Sequence, residues 1–323
     1  MQLPVWAEEM NTLAASRVPF LFILDFDLLD PMVIPLDQLE STGIRYSLPR
    51  VGWHARTDED HSPITPSKTP IPFQQYQACF KQVMDALQAG DSYLLNLCFS
   101  TKIDGVPALE DIFNRSSAPY KLLVPGKFVL FSPESFVQIR DHTIRTFPMK
   151  GTIDASMPDA ETLLLEDIKE MEEHATVVDL LRNDLSIVSR RVTVDRYRYI
   201  TMIETGDKRL LQCSSAISGI LEEAYKDAPG SIMHALLPAG SVTGAPKKKT
   251  VQLIHAIEPE ARGFYTGVFG IFDGHHLDSA VMIRMIEQRP EGYYYRSGGG
   301  ITYRSEAAKE YQEMIDKVYV PIS

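Results

Sequence analysis

Cysteine is scarce: Cys79, Cys98 and Cys213 are the three in 323 residues. They are far apart and odd in number, which excludes a CxxC pair and a disulfide framework. That usage fits a reducing compartment such as the cytoplasm. Positive charge is also short. Lys and Arg number 32 against 43 Asp and Glu, a net charge of −11, so no global positive field is present for nucleic acid. No apolar run approaches the length of about 18 residues that a helical membrane span needs. The start, Met1-Gln-Leu-Pro-Val-Trp-Ala-Glu-Glu9, has no basic region and does not read as a secretory signal. GxGxxG, HExxH and GxSxG are all missing, which leaves dinucleotide, zinc-protease and nucleophile-elbow chemistry without a motif.

What is present is a globular composition, 44% hydrophobic, of a size that fits an enzyme. Residues 19–27, Pro-Phe-Leu-Phe-Ile-Leu-Asp-Phe-Asp, read as a buried strand. The proline-rich stretch Thr57 to Pro72 reads as a connection, giving a short N-terminal segment over 1–72 and a main body over 73–323, together one structural domain. Phe73, Tyr76, Phe80, Val83, Met84 and Leu87 recur at helical spacing, with Gly90 as the stop. Ser92 to Phe99 is strand-like, Pro125-Gly126 marks a hairpin, and 136–147 holds two short strands. Residues 158–185 read as the longest helix and Ala245 to Ile257 as another. Segments 264–272 and 277–286 read as strands about the Asp273-Gly274 turn. Tyr293 to Tyr295 reads as a short strand ending at Gly298-Gly299-Gly300, and the last helix runs from Ser305 to Tyr319. Strands with helices between them, without regular βαβ alternation, predict an α+β architecture.

Several patterns bear on chemistry. Glu166, Glu170 and Glu173 share one helical face, as do Glu306, Glu310 and Glu313. Spacing alone makes these solvated acidic faces, or carboxylates for a hard cation such as Mg²⁺. Lys150, in Phe147-Pro-Met-Lys-Gly-Thr152, is a turn lysine or, if desolvated, a nucleophile. Gly240-Ser-Val-Thr-Gly-Ala-Pro-Lys247 is a capping turn or an anion-binding loop. Gly298 to Gly300 is a flexible turn or a place of close backbone approach. Asp273, His275, His276 and Asp278 lack metal-ligand spacing, and Lys247 to Lys249 read as a solvated face.

The order of these blocks carries more than any one of them. Ser132-Pro-Glu-Ser-Phe136, Pro148-Met-Lys-Gly-Thr152, Val178-Asp-Leu-Leu-Arg-Asn-Asp184, Gly240 to Lys247, Ile283-Arg284, Ser297-Gly-Gly-Gly-Ile301 and Glu310-Tyr-Gln-Glu313 follow one another. Over about residues 74–320 the chain resembles the chorismate-utilising enzymes: anthranilate synthase, aminodeoxychorismate synthase component I, isochorismate synthase and salicylate synthase. Relatives outside the aminodeoxychorismate branch usually carry a small residue where Lys150 stands. The resemblance therefore implies aminodeoxychorismate synthase component I, which makes 4-amino-4-deoxychorismate on the para-aminobenzoate route to folate. Anthranilate synthase component I and a chorismate-binding protein without turnover are the rivals.

The resemblance also implies roles. Lys150 is the nucleophile and Glu134, sixteen residues earlier, the general acid. Glu173 and Glu313 ligate Mg²⁺ directly, Glu170 and Glu310 through water. Arg284 and Tyr265 hold the enolpyruvyl carboxylate, and Thr243, Gly244, Gly298, Gly299 and Gly300 complete the anion pocket. The implied fold is two large mixed β-sheets packed face to face with outer helices. Leu94 stands where amine-forming members usually carry glutamine and water-adding members lysine, which counts against water addition. Asn96 is then a polar contact for ammonia. Gln212 replaces a histidine of many members, which puts more of the acid role on Glu134. The N-terminal segment is short for a tryptophan pocket. Neither a glutaminase nor a pyridoxal-phosphate lyase segment is expected, so ammonia is expected from a glutamine amidotransferase partner.

Overall fold

The computed structural model describes residues 2–49, 51–52, 64–205 and 208–320. The chain divides into two compact units with interleaved segments: residues 1–42, 133–241 and 267–281 form the first, and 43–132, 242–266 and 282–323 the second. The boundary expected at 72/73 falls inside the second unit.

Each unit is built on one large sheet, which makes the chain an α+β protein with two sheets and flanking helices. The expectation of mixed sheets is corrected. Every strand pair among the described residues is antiparallel. Hairpins and longer returns, rather than parallel crossovers, join the strands.

In the first unit the long strand Lys208–Leu221 is the organiser. Ser189–Thr205 runs along one edge, while Thr143–Thr146 and Met149–Asp154 lie end to end along the other. Ser135–Arg140, Leu277–Val281, Val268–Phe272, Phe20–Leu24 and Met32–Pro35 continue the sheet. Phe20–Leu24 and Val268–Phe272 are buried at every position, as near-continuous apolar runs predict for strands covered on both faces. The helices Val5–Ala15 and Pro229–Leu236 pack together in this unit.

In the second unit Leu94–Asp104 pairs with Gly244–Ala245 and Ser67–Thr69 along one edge and with Gly292–Ile301 along the other. Met285–Arg289, Phe128–Ser132, Tyr120–Val124, Arg45–Leu48 and Val51–Gly52 follow. Leu109, Ile112 and Phe113 of the helix Leu109–Arg115 pack onto Ile103, Leu123, Val129, Phe131 and Ile286. Phe73–Gln88 forms as predicted, burying Tyr76, Phe80, Val83 and Ala86.

Other expectations change. The helix expected over 158–185 is two, Ala160–Glu166 and Ile168–Val188, broken where Asp167 turns extended and its carboxylate accepts from the Glu170 amide at 2.9 Å. The strand expected over 277–286 ends at Val281, and Met285–Arg289 belongs to the other sheet. Gly298 to Gly300 lie inside the strand Gly292–Ile301, not in a turn. The helix after the 240s loop begins at Lys247, because Gly244–Ala245 is occupied in sheet pairing. Of the expected connection, 57–63 lie outside the described residues, and Ser67–Thr69 is a strand.

Candidate active site

The residues singled out in the sequence fall into two sets, one on each unit. In the first, Lys150 stands opposite Cys213 and Thr152 opposite Gln212, with the register shifting between them. Gly151 takes up the shift with φ +74°, a bulge that a residue without Cβ accommodates. At this bend Lys150 Nζ lies 3.9 Å from Glu173 Oε2, both side chains partly buried. Glu173 comes from the helix Ile168–Val188. One turn earlier, Glu170 Oε2 is 3.0 Å from where a side chain on Gly151 would begin. Glu166, on the separate preceding helix, is exposed.

Glu134 precedes the strand Ser135–Arg140, and its carbonyl accepts from the Val281 amide at 3.1 Å. Its Oε1 accepts from Ser241 Oγ at 2.6 Å. Beside Ser241, a side chain on Gly240 would meet Asp184 Oδ2 at 2.6 Å. The buried Asp184 therefore closes against the 240s loop, which accounts for that part of the Val178 to Asp184 block. His174 follows Glu173 and is buried, with Nε2 2.7 Å from Ser215 Oγ. Burial, then the charges of Arg198 and Lys150, holds its imidazole down to a pKa of about 4. It is a neutral ring near Lys150 at ordinary pH.

In the second set, Gly244–Ala245 pairs with Leu94–Leu95, and the Thr243 carbonyl accepts from the Asn96 amide at 2.8 Å. Gly244 has φ +136° and a side chain there would collide with the Leu94 carbonyl, so this position requires glycine. Across the sheet, Gly298, Gly299 and Gly300 stand opposite Cys98, Leu97 and Asn96. The three glycines have different neighbours. A side chain at 299 would lie 3.6 Å from Glu310 Oε2, Glu313 Oε1 and Lys317 Nζ. One at 300 would meet Leu94 Cδ1 at 2.9 Å and Asn96 Oδ1 at 3.8 Å. Lys317 Nζ binds both Glu313 Oε1, at 2.7 Å, and the Gly298 carbonyl, at 2.9 Å.

Glu310 is buried, which removes the solvated-face reading for it. Glu306 keeps that reading, exposed and 2.6 Å from Lys309. Arg284 sits at φ +55°, with Nη1 donating to the Lys317 carbonyl at 3.2 Å and its guanidinium 5.1 Å from the Tyr319 ring centre. Tyr265 is buried, and burial pushes its phenol well up, so it stays neutral. Leu94 is also buried, and Gln212 is half-buried.

The donor sets suit a hard cation. Mg²⁺ takes one or two carboxylates and completes its shell with water and substrate oxygens. Glu310 and Glu313 both present an oxygen to the open space beside Gly299, while of the other pair Glu170 lies against Gly151. Among the described residues no group of three or more His, Cys, Asp or Glu forms a metal cluster. Asp273 Oδ1 is taken by the amides of His275 and His276 at 2.8 and 2.7 Å, a turn motif. Lys249 is exposed and 3.4 Å from Asp91.

Three residues were missed in the sequence. Ser241 was inside a recognised block but far from Glu134 along the chain. Lys317 follows Glu313 by four, the spacing of a helical Glu–Lys pair. His174 adjoins Glu173 and has no periodic signature of its own.

The chorismate binding enzyme family model matches residues 36–323. A Haemophilus influenzae protein described as an uncharacterized PabA-like protein is 48% identical over 98% of this chain and 96% of its own length. The aminodeoxychorismate synthase component 1 of Klebsiella aerogenes is 31% identical over 76% of this chain and 56% of its own. Among solved structures, anthranilate synthase component I from Streptococcus pneumoniae superposes with a TM-score of 0.68 at 28% identity, covering 80% of this chain and 60% of that one. The chain thus spans little more than half the length of these two synthases. With the match covering most of its residues, the chain belongs to the chorismate-binding enzyme family.

Proposed function

We propose that the chain converts chorismate and ammonia to 4-amino-4-deoxychorismate, as an aminodeoxychorismate synthase component I that draws ammonia from a glutamine amidotransferase partner. The observation that carries this reading is Lys150. Its amine leaves the strand Met149–Asp154 at a glycine bulge and reaches to 3.9 Å from Glu173, in a block where relatives outside the aminodeoxychorismate branch usually carry a small residue.

On this reading the neutral Lys150 amine forms a bond to C2 of chorismate. The two ring double bonds shift from C1–C2 and C5–C6 to C1–C6 and C4–C5, the C4–O bond breaks, and Glu134 gives its proton to the departing oxygen, which leaves as water. Ammonia then bonds to C4, both double bonds shift back, and the C2–N bond breaks, which releases Lys150 as the neutral amine, while the new C4 ammonium returns a proton to the Glu134 carboxylate. The short hydrogen bond from Ser241 fixes Glu134 for this work. Arg284 offers a charge-assisted fork to the enolpyruvyl carboxylate beside Tyr265. Glu173 and Glu313 would hold Mg²⁺ directly and Glu170 and Glu310 through water. The ion would neutralise and orient the ring carboxylate. Leu94 offers no base for water, and Asn96 is the polar group two residues on.

The test is a product assay. Purified chain, chorismate, Mg²⁺ and ammonium salt are combined with and without an aminodeoxychorismate lyase, and products are separated by chromatography and mass. Para-aminobenzoate that depends on the lyase is the expected result. Anthranilate formed without the lyase would place the chain on the other amine-forming branch, and chorismate binding without any product would sink the catalytic reading.

A further inference from the structure

We infer that Arg262, locked to Glu258, is a positioning residue that sets the walls of the chorismate pocket and so governs substrate affinity rather than the chemical step. The inference rests on the reading of Thr243, Gly244 and Tyr265 as substrate-contacting residues. Arg262 is 1% exposed, and its guanidinium spends its donors inside the second unit. Nε and Nη2 bind the two oxygens of Glu258 at 2.9 and 2.6 Å. Nη1 donates to the Val242 carbonyl at 2.8 Å and to Thr266 Oγ1 at 3.2 Å. Nη2 also donates to the Asn96 carbonyl at 2.7 Å.

These acceptors are not scattered. Val242 precedes Thr243. Asn96 lies on the strand that pairs with Gly244–Ala245, and its amide holds the Thr243 carbonyl. Thr266 follows Tyr265 and donates its hydroxyl to the Tyr265 carbonyl at 2.6 Å. Glu258 ties the same strand a second time, accepting from the Cys98 amide at 3.0 Å. One side-chain pair therefore fixes the 240s loop, the strand beside it and the backbone of Tyr265.

Thr266 adds a second line. It is β-branched and sits at φ +62°, a conformation such residues avoid. Strain of this kind persists only where surroundings over-determine it. Here the Thr266 amide donates to the Met282 carbonyl at 2.8 Å, and its hydroxyl is held between Arg262 and the Tyr265 carbonyl. A buried ion pair contributes little net stability compared with apolar packing. What the planar fork supplies is fixed direction toward several carbonyls at once, which lysine cannot reproduce.

The test uses the full-length chain and three variants: Arg262→Lys, Thr266→Val and Thr243→Ala. Each is measured for thermal midpoint, for chorismate affinity by calorimetry with Mg²⁺, and for kcat and KM with ammonium salt. Arg262→Lys is expected to raise KM and Kd about tenfold or more while kcat stays within about threefold, since charged hydrogen bonds are lost without touching the reacting atoms. Thr266→Val should raise KM about threefold at nearly the same thermal midpoint. A folded Arg262→Lys with a lowered midpoint but unchanged KM and Kd would overturn the inference and leave the pair purely structural. If Arg262→Lys does not fold, Thr266→Val decides on the same criterion. Thr243→Ala separates the two claims. Unchanged chorismate affinity there would overturn the substrate-contact reading and the inference with it. Weakened affinity there beside an unaffected Arg262→Lys would overturn the inference alone.

Discussion

Each unit pairs a lysine with a glutamate of the site, and the two pairs differ in kind. Lys317 and Glu313 share one helical face four residues apart, in contact at 2.7 Å, and the ammonium also holds the Gly298 carbonyl. Lys150 and Glu173 come from a strand and a helix and stand 3.9 Å apart. Lys317 is tied to two close acceptors, whereas Lys150 stands at a backbone bulge at a longer distance from its carboxylate. On the proposed function, the difference separates a lysine that organises from a lysine that reacts.

The comparison can be broken most directly at Lys150. Lys150→Ala should lower kcat for amination by about a thousandfold or more while retaining fold and chorismate binding; full turnover in a rate assay would remove the covalent route. Glu173→Gln is expected to lower kcat/KM about a hundredfold and raise the Mg²⁺ concentration needed for half-maximal rate, and a titration showing unchanged Mg²⁺ demand would count against its ligand role. His174 sharpens the setting of the first pair. Its pKa is about 4 in the fold against 6.5 for the unperturbed side chain. The folded state therefore favours the neutral ring, and this stability is full above pH 6.5 and lost as pH falls toward 4. The contribution is on the order of 3 kcal/mol. His174→Gln should flatten the stability curve across that window in urea titrations, and an equally steep curve would assign the acid sensitivity elsewhere. Lys317→Met should have the smallest effect, a rise in chorismate KM of about tenfold with little change in kcat. A collapse of kcat to the level of Lys150→Ala would erase the distinction between the two lysines.

Much of this was legible because it is local. The apolar run at Phe20–Leu24, the Pro125-Gly126 and Asp273-Gly274 turns and the helix Phe73–Gln88 follow from period and turn chemistry over a few residues. The spacing of the glutamates placed Glu170 with Glu173 and Glu310 with Glu313 on their helices. What failed was decided by distant partners. The glycines at 298–300, left open between a flexible turn and a place of close backbone approach, are strand because Leu94–Asp104 pairs with them. The step from Val281 to Met285 changes sheets with no composition signal at all. Glu134 finds Ser241 at a separation of 107 residues, beyond any local pattern. The helix break at Asp167 was readable in principle, since Asp167-x-x-Glu170 is a capping pattern, but the apolar periodicity on either side hid it.

The interleaving of the two units bears on how the protein is made. The chain passes from one unit to the other five times. The strands Val268–Phe272 and Leu277–Val281 lie between Phe20–Leu24 and Ser135–Arg140 in the first sheet. A ribosome has therefore to deliver the chain through Val281 before that sheet can join its two halves, and the helix bearing Glu310 and Glu313 emerges later still. Early strands wait with open edges for partners not yet synthesised, the situation in which nascent chains depend on chaperones. For the same reason no single cut yields either unit, and any fragment study of this protein must begin by reordering the chain.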